Sequence, residues 1–287
     1  MARVSAKVRR EGLRQEAERV RIERDYIRRM RRLVPAFRRK ILEALPELDL
    51  QPTIRIENAI SPLRESLLGV AETAFERGYQ NTVRAAQDYM RSKGGRLAMP
   101  MSFQLEQGGR AIYRNMVGTI FGDLEPRLAS TVAAAVNNGY TGEITIPEAK
   151  SWLSTRMDAM GFRSVKPYVI ETWITTMVQT SYSAGKAEAA MHPAIDEILW
   201  GWEYTTVGDD RVRFEHEGYD GTRYPKNDPF WTVNTPPNGW NCRCSVIEVF
   251  DEGTINPPHS VDVNGVEVAP STDPTFEFSP QSVAVAA

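Results

Sequence analysis

The residues able to do chemistry are few and lie late in the chain. Cys242 and Cys244 are the two cysteines, one residue apart, and His216 and Asp220 precede them. Nucleophilic catalysis by a thiol needs a thiolate, a base and a carboxylate that orients the base. Cys242 or Cys244, His216 and Asp220 supply those types, the set a Cys/His-dependent hydrolase or transferase would use. The usual frames for such chemistry are missing: no nucleophile elbow, no phosphate-binding G-x-x-x-x-G-K-[ST] loop and no H-E-x-x-H occurs. His192 is followed by Pro193 and reads as a helix terminus, and His259 falls in a proline-rich stretch. A non-enzymatic role is expected, with the Cys/His enzyme as the alternative. Cysteines this close can hardly cross-link a fold, so no disulfide scaffold is expected, and a reducing cytoplasm is the expected setting for folding.

The other chemistry is charge. The chain has 287 residues and a net charge of −2, but residues 1–40 carry 15 basic and 5 acidic side chains. The remainder carries 20 basic and 32 acidic ones, so a +10 arm precedes a −12 body. Such an asymmetry speaks about partners rather than fold. Arg28, Arg29, Arg31, Arg32, Arg38 and Arg39 are the candidates for meeting phosphates or an acidic surface. No aromatic residues interleave them to stack on bases, so any nucleic-acid contact should be non-specific.

These residues must be positioned by elements. Leu13, Val20, Ile27, Val34 and Ile41 recur every seven residues, and Met30, Phe37 and Ala44 follow the last three of these by three, so residues 5–45 read as one or two helices with a narrow apolar seam. Pro35 should kink or split them. The seam Val20, Ile27, Val34 and Ile41 either packs on the chain's own body or docks on a partner. Residues 46–57 read as a connection. Further helices are expected at about 61–91, started by Ser61-Pro62, and at 104–121, 123–138, 147–160 and 166–190. Beyond His192-Pro193 the pattern changes. Residues 198–207 and 244–250 read as strands, 209–219 as a short helix capped by Asp209, and 225–240 as a loop. The expected fold class is α+β: a mostly helical N-terminal portion, a small Trp-rich C-terminal domain of short strands, and an extended tail. The expected divisions are a basic amphipathic helical arm (1–45), a helical domain (58–192), a C-terminal domain (195–250) and an extended or disordered tail (251–287). No apolar run approaches the ~20 residues of a membrane helix and the N-terminus lacks an apolar signal core, so no membrane association is expected.

Residues 200–250 are the most informative stretch. They contain Asp210-Arg211, His216, Tyr219-Asp220-Gly221, Asp228-Pro229-Phe230-Trp231 and the run Pro236-Pro237-Asn238-Gly239-Trp240-Asn241-Cys242-Arg243-Cys244. Together, at this spacing, they resemble the C-terminal domain of phage minor head proteins of the Mu protein F type, the phage head morphogenesis proteins. The resemblance covers about 50 residues, with Asp210, Arg211, Asp220, Gly221, Trp231, Pro236, Pro237 and Trp240 as its structural motif. It implies a minor head (capsid) protein of a tailed phage or prophage. Such a protein is assembled in the host cytoplasm and carried in the virion head, near the portal protein, the major capsid protein and packaged DNA.

Many members of that family carry a C-x-x-C before the Asp-Gly, which with the C-x-C looks like a metal site. Here those two positions are Arg213 and His216, and a frequent ligand three residues before the first cysteine of the C-x-C is Gly239. The resemblance therefore leaves His216, Cys242 and Cys244 as a zinc set, with Asp220 or Glu217 as a fourth ligand. The alternative is a metal-free knot in which His216 bonds a carboxylate or carbonyl and the thiols pack as small hydrophobes.

Overall fold

The structure is a computed structural model that describes residues 6–45, 53–97, 99, 107–140, 145–160, 162, 168–250 and 253–258. Five long helices come first: α1 (Ala6–Ala44), α2 (Thr53–Ser92), α3 (Gln107–Tyr140), α4 (Ile146–Ala159) and α5 (Tyr168–Met191). The short elements that follow are α6 (Pro193–Asp196), β1 (Gly201–Thr205), α7 (Phe214–Glu217), β2 (Arg223–Pro225), α8 (Phe230–Asn234) and β3 (Ser245–Val249). The three strands form one antiparallel sheet in the order β2-β1-β3, with Glu203 of β1 opposite Arg223 on one side and Ile247 on the other. This is the expected α+β class.

The prolines are where the helices depart from expectation. Pro35, Pro62 and Pro126 all lie inside helices. A proline there removes one backbone bond. Buried side chains on both sides of each proline hold the helix in line: Val34 and Phe37, Ile60 and Leu63, Leu124 and Leu128. So α1 is not split, α2 starts eight residues before Ser61, and the segments expected at 104–121 and 123–138 are one helix. Ser61 does not cap; its hydroxyl donates to Glu65 3.0 Å away. The expected connection survives only as residues 46–52, outside the described set. By contrast, α4 starts as its sequence suggests, with Thr145 as N-cap, Pro147 in the first turn and Glu148 closing a capping box.

The chain forms two compact units, interleaved along the sequence. The second unit comprises residues 24–70 and 111–174. Its core takes Met30, Val34, Phe37 and Ile41 from α1, Leu63 and Leu67 from α2, Leu128 and Val132 from α3, and Leu153 and Met157 from α4. Phe37 meets Phe162 with ring centroids 4.9 Å apart. Val34 and Ile41 are therefore covered by the chain's own side chains, and this half of the seam is not free to dock elsewhere. Ile27 is partly buried.

The first unit comprises residues 1–23, 71–110 and 175–287. Its central element is α5, where every residue from 176 to 186 is buried. A helix hydrophobic on one face cannot sit there, and its composition is instead small and neutral: Gln-Thr-Ser-Tyr-Ser-Ala-Gly. The small residues permit contact of backbones. A Cβ on Gly185 would lie 2.0 Å from the Phe75 carbonyl oxygen, and one on Gly78 would lie 2.0 Å from that of Tyr182. These two glycines set the crossing of α2 and α5. Residues 253–258 add a short extended piece, with Asn256 bridged to Arg223 by two backbone bonds of 2.8 and 2.9 Å; the rest of the expected tail lies outside the described residues.

Gly78→Ala or Gly185→Ala should destabilise by roughly 3 kcal/mol or more, because backbone rather than a movable side chain blocks the new methyl. Gly118→Ala, where a Cβ meets nothing within 4 Å, should be neutral or stabilising by up to about 1 kcal/mol. Urea midpoints of the three variants check the contrast; three equal shifts would contradict the close crossing.

Candidate functional site

His216, Cys242 and Cys244 come together in the first unit. All three are buried, at 3%, 2% and 2% exposure, and their ligand-type atoms lie within 4.8 Å of one another. The His216 Nδ1 is 3.7 Å from Cys242 Sγ and 3.5 Å from Cys244 Sγ. A cavity of about 100 Å³ opens beside them, lined by all three and by Arg211, Arg213 and Arg243.

Local sequence explains how the three converge. His216 sits in α7, and a turn follows in which Gly221 takes φ 80° and donates its N–H to the Tyr204 carbonyl at 2.8 Å. The Asp220 carboxylate accepts from the Thr206 backbone N–H at 2.7 Å and its hydroxyl at 3.2 Å. Asp220 thus closes the turn onto β1, rather than orienting His216 as a catalytic carboxylate would. The Asp228 carboxylate accepts from the Phe230 N–H at 2.9 Å just before α8, and the Trp231 indole donates to the Pro225 carbonyl at 3.0 Å. Trp231, Tyr204, Tyr219, Cys242, Cys244 and Val246 form one buried cluster. The tryptophan-rich motif is thus the core that carries the cysteines, and Trp231 is one of its anchors.

The loop 236–244 is shaped by backbone. The Pro236-Pro237 bond is cis, Gly239 has φ 143° and Asn241 is left-handed at φ 58°. Glycine is favoured at 239 by its φ, and a Cβ there would also lie 3.1 Å from the Arg213 guanidinium, a tight approach to a movable side chain. That guanidinium donates to the Trp240 carbonyl at 2.7 Å. Asn241 N–H donates to the Thr176 hydroxyl at 3.1 Å.

Sequence reasoning missed the residues that hold this loop from outside it. Arg19 of α1, 2% exposed, donates to the carbonyls of Cys244 at 3.3 Å and Arg243 at 3.1 Å. Gln179 of α5 also donates to the Cys244 carbonyl. Arg243 pairs with Asp209 rather than Asp210, at 2.8 Å for one contact, and holds the Asp209 carboxyl down at about 2. Asp210 and Arg211 are exposed, and Arg211 lies at the cavity rim with its guanidinium 3.8 Å from Asp209. Among the described residues, Glu217 is exposed and is not grouped with the His/Cys cluster.

The thiols are unequal. The Cys244 thiol donates toward Cys242, which lowers Cys242 well below the usual thiol range, helped by His216. The same bond, with burial, pushes Cys244 well above it. The Tyr204 hydroxyl, buried against both thiols, is also pushed up, chiefly by burial.

The proposed phosphate-contacting arginines divide. Arg28, Arg29, Arg31, Arg32 and Arg39 are exposed. Arg38 is not: it is 8% exposed and binds Asp158, the Ser154 hydroxyl at 2.7 Å and the Phe162 carbonyl. Position 38 lies four residues after Val34 and three before Ile41, on the buried face of α1. It is a structural residue, and the expectation that it meets a partner is corrected.

Comparison with known proteins bears on the same region. The family described as Phage Mu protein F like protein matches residues 127–247. The putative capsid assembly protein F of Escherichia phage Mu is 36% identical over 80 residues, 28% of this chain and 18% of that protein. The Mu-like prophage FluMu F protein of Haemophilus influenzae is 31% identical over 119 residues, 42% of this chain and 26% of that protein. These matches span about a quarter or less of the relatives' length. No solved structure matches the chain.

Behind the loop, Glu23 of α1 is pushed up to about 7 by burial, against the pull of Arg19 and with a further push from Glu16. The folded value exceeds the unfolded one, so the folded state holds an extra proton, and stability is lost as pH rises from about 4.5 through about 7. Glu23→Gln should flatten that loss, measured as urea midpoints at pH 5 and 7.5. Parallel losses in both proteins would mean that another group titrates. The segment that matches the family described as Phage Mu protein F like protein, 127–247, holds His216, Cys242, Cys244, β1, β2 and the start of β3.

Proposed function

We propose that this chain is a minor structural protein of a tailed-phage head and acts in head assembly without catalysing a reaction. The observation that carries the reading is the Mu protein F like match over 127–247, shared with a relative named as a capsid assembly protein. Its site is built as a structural core: Asp220 closes a turn, Trp231 packs, and Arg19 and Gln179 fix the loop. No described helix is long and apolar enough to cross a membrane. In this reading the chain resides in the virion head, at low copy number, against the portal protein and the major capsid protein.

The basic helix supports a contact with packaged DNA. From residue 24 to residue 40 of α1 the exposed side chains are Arg24, Asp25, Arg28, Arg29, Arg31, Arg32, Pro35, Arg39 and Lys40. Seven bases and one acid lie along roughly 25 Å of helix. Asp25 neutralises Arg28 in part, at 3.6 Å, and Glu171 pairs with Arg31 at 2.7 Å. Such exposed pairs contribute about 1 kcal/mol or less and yield readily to phosphates. With no aromatic side chain among these exposed residues, the surface meets a backbone rather than bases.

Quantitative mass spectrometry of gradient-purified proheads and filled heads, counted against the major capsid protein, tests the assignment. A few to a few tens of copies are expected on the order-of-magnitude view of a minor component, and absence from both particles would overturn it. Reversing Arg28, Arg29, Arg31 and Arg32 to Glu should lower duplex affinity at least tenfold near 0.1 M salt and flatten its salt dependence, with helical content unchanged. Unaltered affinity and unaltered packaged DNA would remove the DNA contact and leave the head role standing on the particle counts.

A further inference from the structure

We propose that the groove between α3 and α4 binds an acidic, aromatic-bearing segment of a second copy of this chain, residues 271–280. The groove lies within the second unit and has a volume of about 390 Å³. That falls in the range of roughly 300–1,000 Å³ typical of ligand pockets. Trp152, Met160 and Ala134 give it an apolar surface, and Arg127 and Arg156 stand exposed beside them. Ser130 and Thr131 complete its α3 side.

Charge selects the occupant. None of the described residues lining the groove is acidic. The two acids of α4 are engaged elsewhere: Glu148 closes the capping box with Thr145, and Asp158 binds Arg38 of α1. The Arg156 guanidinium lies over the Trp152 ring, 5.2 Å from its centroid. Its donors lie in the plane of the group, so stacking one face leaves the fork for a carboxylate, which it can meet with two parallel bonds. The Ser130 and Thr131 hydroxyls donate to the Arg127 carbonyl at 3.0 and 2.7 Å. Their oxygens keep lone pairs able to accept the N–H groups of a passing backbone. A carboxylate that also brings an aromatic ring and a backbone suits this lining better than a phosphate alone.

The chain supplies such a segment. Residues 259–287, outside the described set, carry Asp262, Glu267, Asp273 and Glu277 and no lysine or arginine. Two phenylalanines, Phe276 and Phe278, flank Glu277. Asp273 and Glu277 are four residues apart, about 13 Å in an extended chain. Residues 152–160, along one wall of the groove, cover about 12 Å of helix. One short segment thus spans the groove. Glu277 meets Arg156, Asp273 meets Arg127, and a phenylalanine ring packs on Trp152 and Met160. The contact joins unlike surfaces, segment to groove, so it links copies into rings or rows and not only into pairs. It does not depend on the chain's role in a phage head.

The test uses two full-length chains mixed in equal amounts. One carries Phe278→p-benzoylphenylalanine, and the other is uniformly labelled with nitrogen-15. After irradiation, mass spectrometry of the digest should find the photoreactive residue joined to labelled peptides holding residues 127–134 or 152–160. Arg127→Glu or Arg156→Glu in the labelled chain should lower that yield at least tenfold with helical content unchanged, both side chains being exposed. Adding Glu277→Lys to the photoreactive chain should restore the yield against Arg156→Glu. Cross-links confined to the unlabelled chain would overturn the contact between copies. Cross-links to other labelled peptides, such as those of α1, would overturn the groove as its place, as would a yield indifferent to both charge reversals or no cross-link at all.

Discussion

One buried cation organises the first unit. Lys186 of α5 is 1% exposed, and burial lowers its proton affinity while Glu248 raises it. Its ammonium lies 3.1 Å from Glu248 of β3, donates to Gln15 of α1 at 3.0 Å and reaches the Val246 carbonyl. Glu248 in turn accepts from Thr82 of α2. Four elements distant in sequence thus meet on one charge pair. A buried pair of this kind is weak evidence of net stability, because desolvation opposes the attraction. Its consequence is positional: removing either partner strands the other, so α1, α2, α5 and β3 cannot shift independently.

The Cys-Arg-Cys loop inherits that positioning. It is held by Arg19, four residues past Gln15 on α1, and by Gln179 and Thr176, on α5 before Lys186. The close crossing at Gly78 and Gly185 brings α2 and α5 together in the same stretch. The small Trp-rich domain is therefore not autonomous. Its sheet is three strands of three to five residues, too little to stand alone, and helices from the first hundred residues complete its core. The family match at 127–247 captures α5, β1, β2 and the start of β3 but none of α1 or α2. The matched segment thus sits on a scaffold that the match does not contain.

What could be read from sequence follows from the range of the interactions. β1 and β3 were legible because aromatic and β-branched runs mark strands locally, and α4 because Pro147 marks a helix start. β2 and α8 were not, since both lie in stretches dense in proline, glycine and asparagine that read as loop, and the sheet alone makes Arg223–Pro225 a strand. The helix start at Ser61-Pro62 was misplaced because a local rule about proline was outweighed by packing on both sides, and the break expected between 121 and 123 falls inside α3. His216, Cys242 and Cys244 were found by their types. Arg19 and Gln179 were not, because a guanidinium bonded to carbonyls 224 and 225 residues away leaves no local trace.

The basic arm shows how composition misleads where periodicity would not. Counting charge treats Arg19, Arg38 and Arg32 alike. Helical phase separates them: Met30, Val34, Phe37, Ile41 and Leu45 mark one buried face, and Arg38 falls within it while Arg28, Arg29, Arg31, Arg32 and Arg39 do not. Arg38 must then satisfy its donors inside the protein, and does so on Asp158, Ser154 and Phe162. Arg19 does the same on two loop carbonyls and Glu16. The +10 of the arm therefore overstates the charge offered to a partner. What remains outside is a narrow row of arginines on a helix whose opposite face is fixed by its own core. Such a row presents its charges without first having to fold, so phosphate contact would cost it little beyond side-chain order.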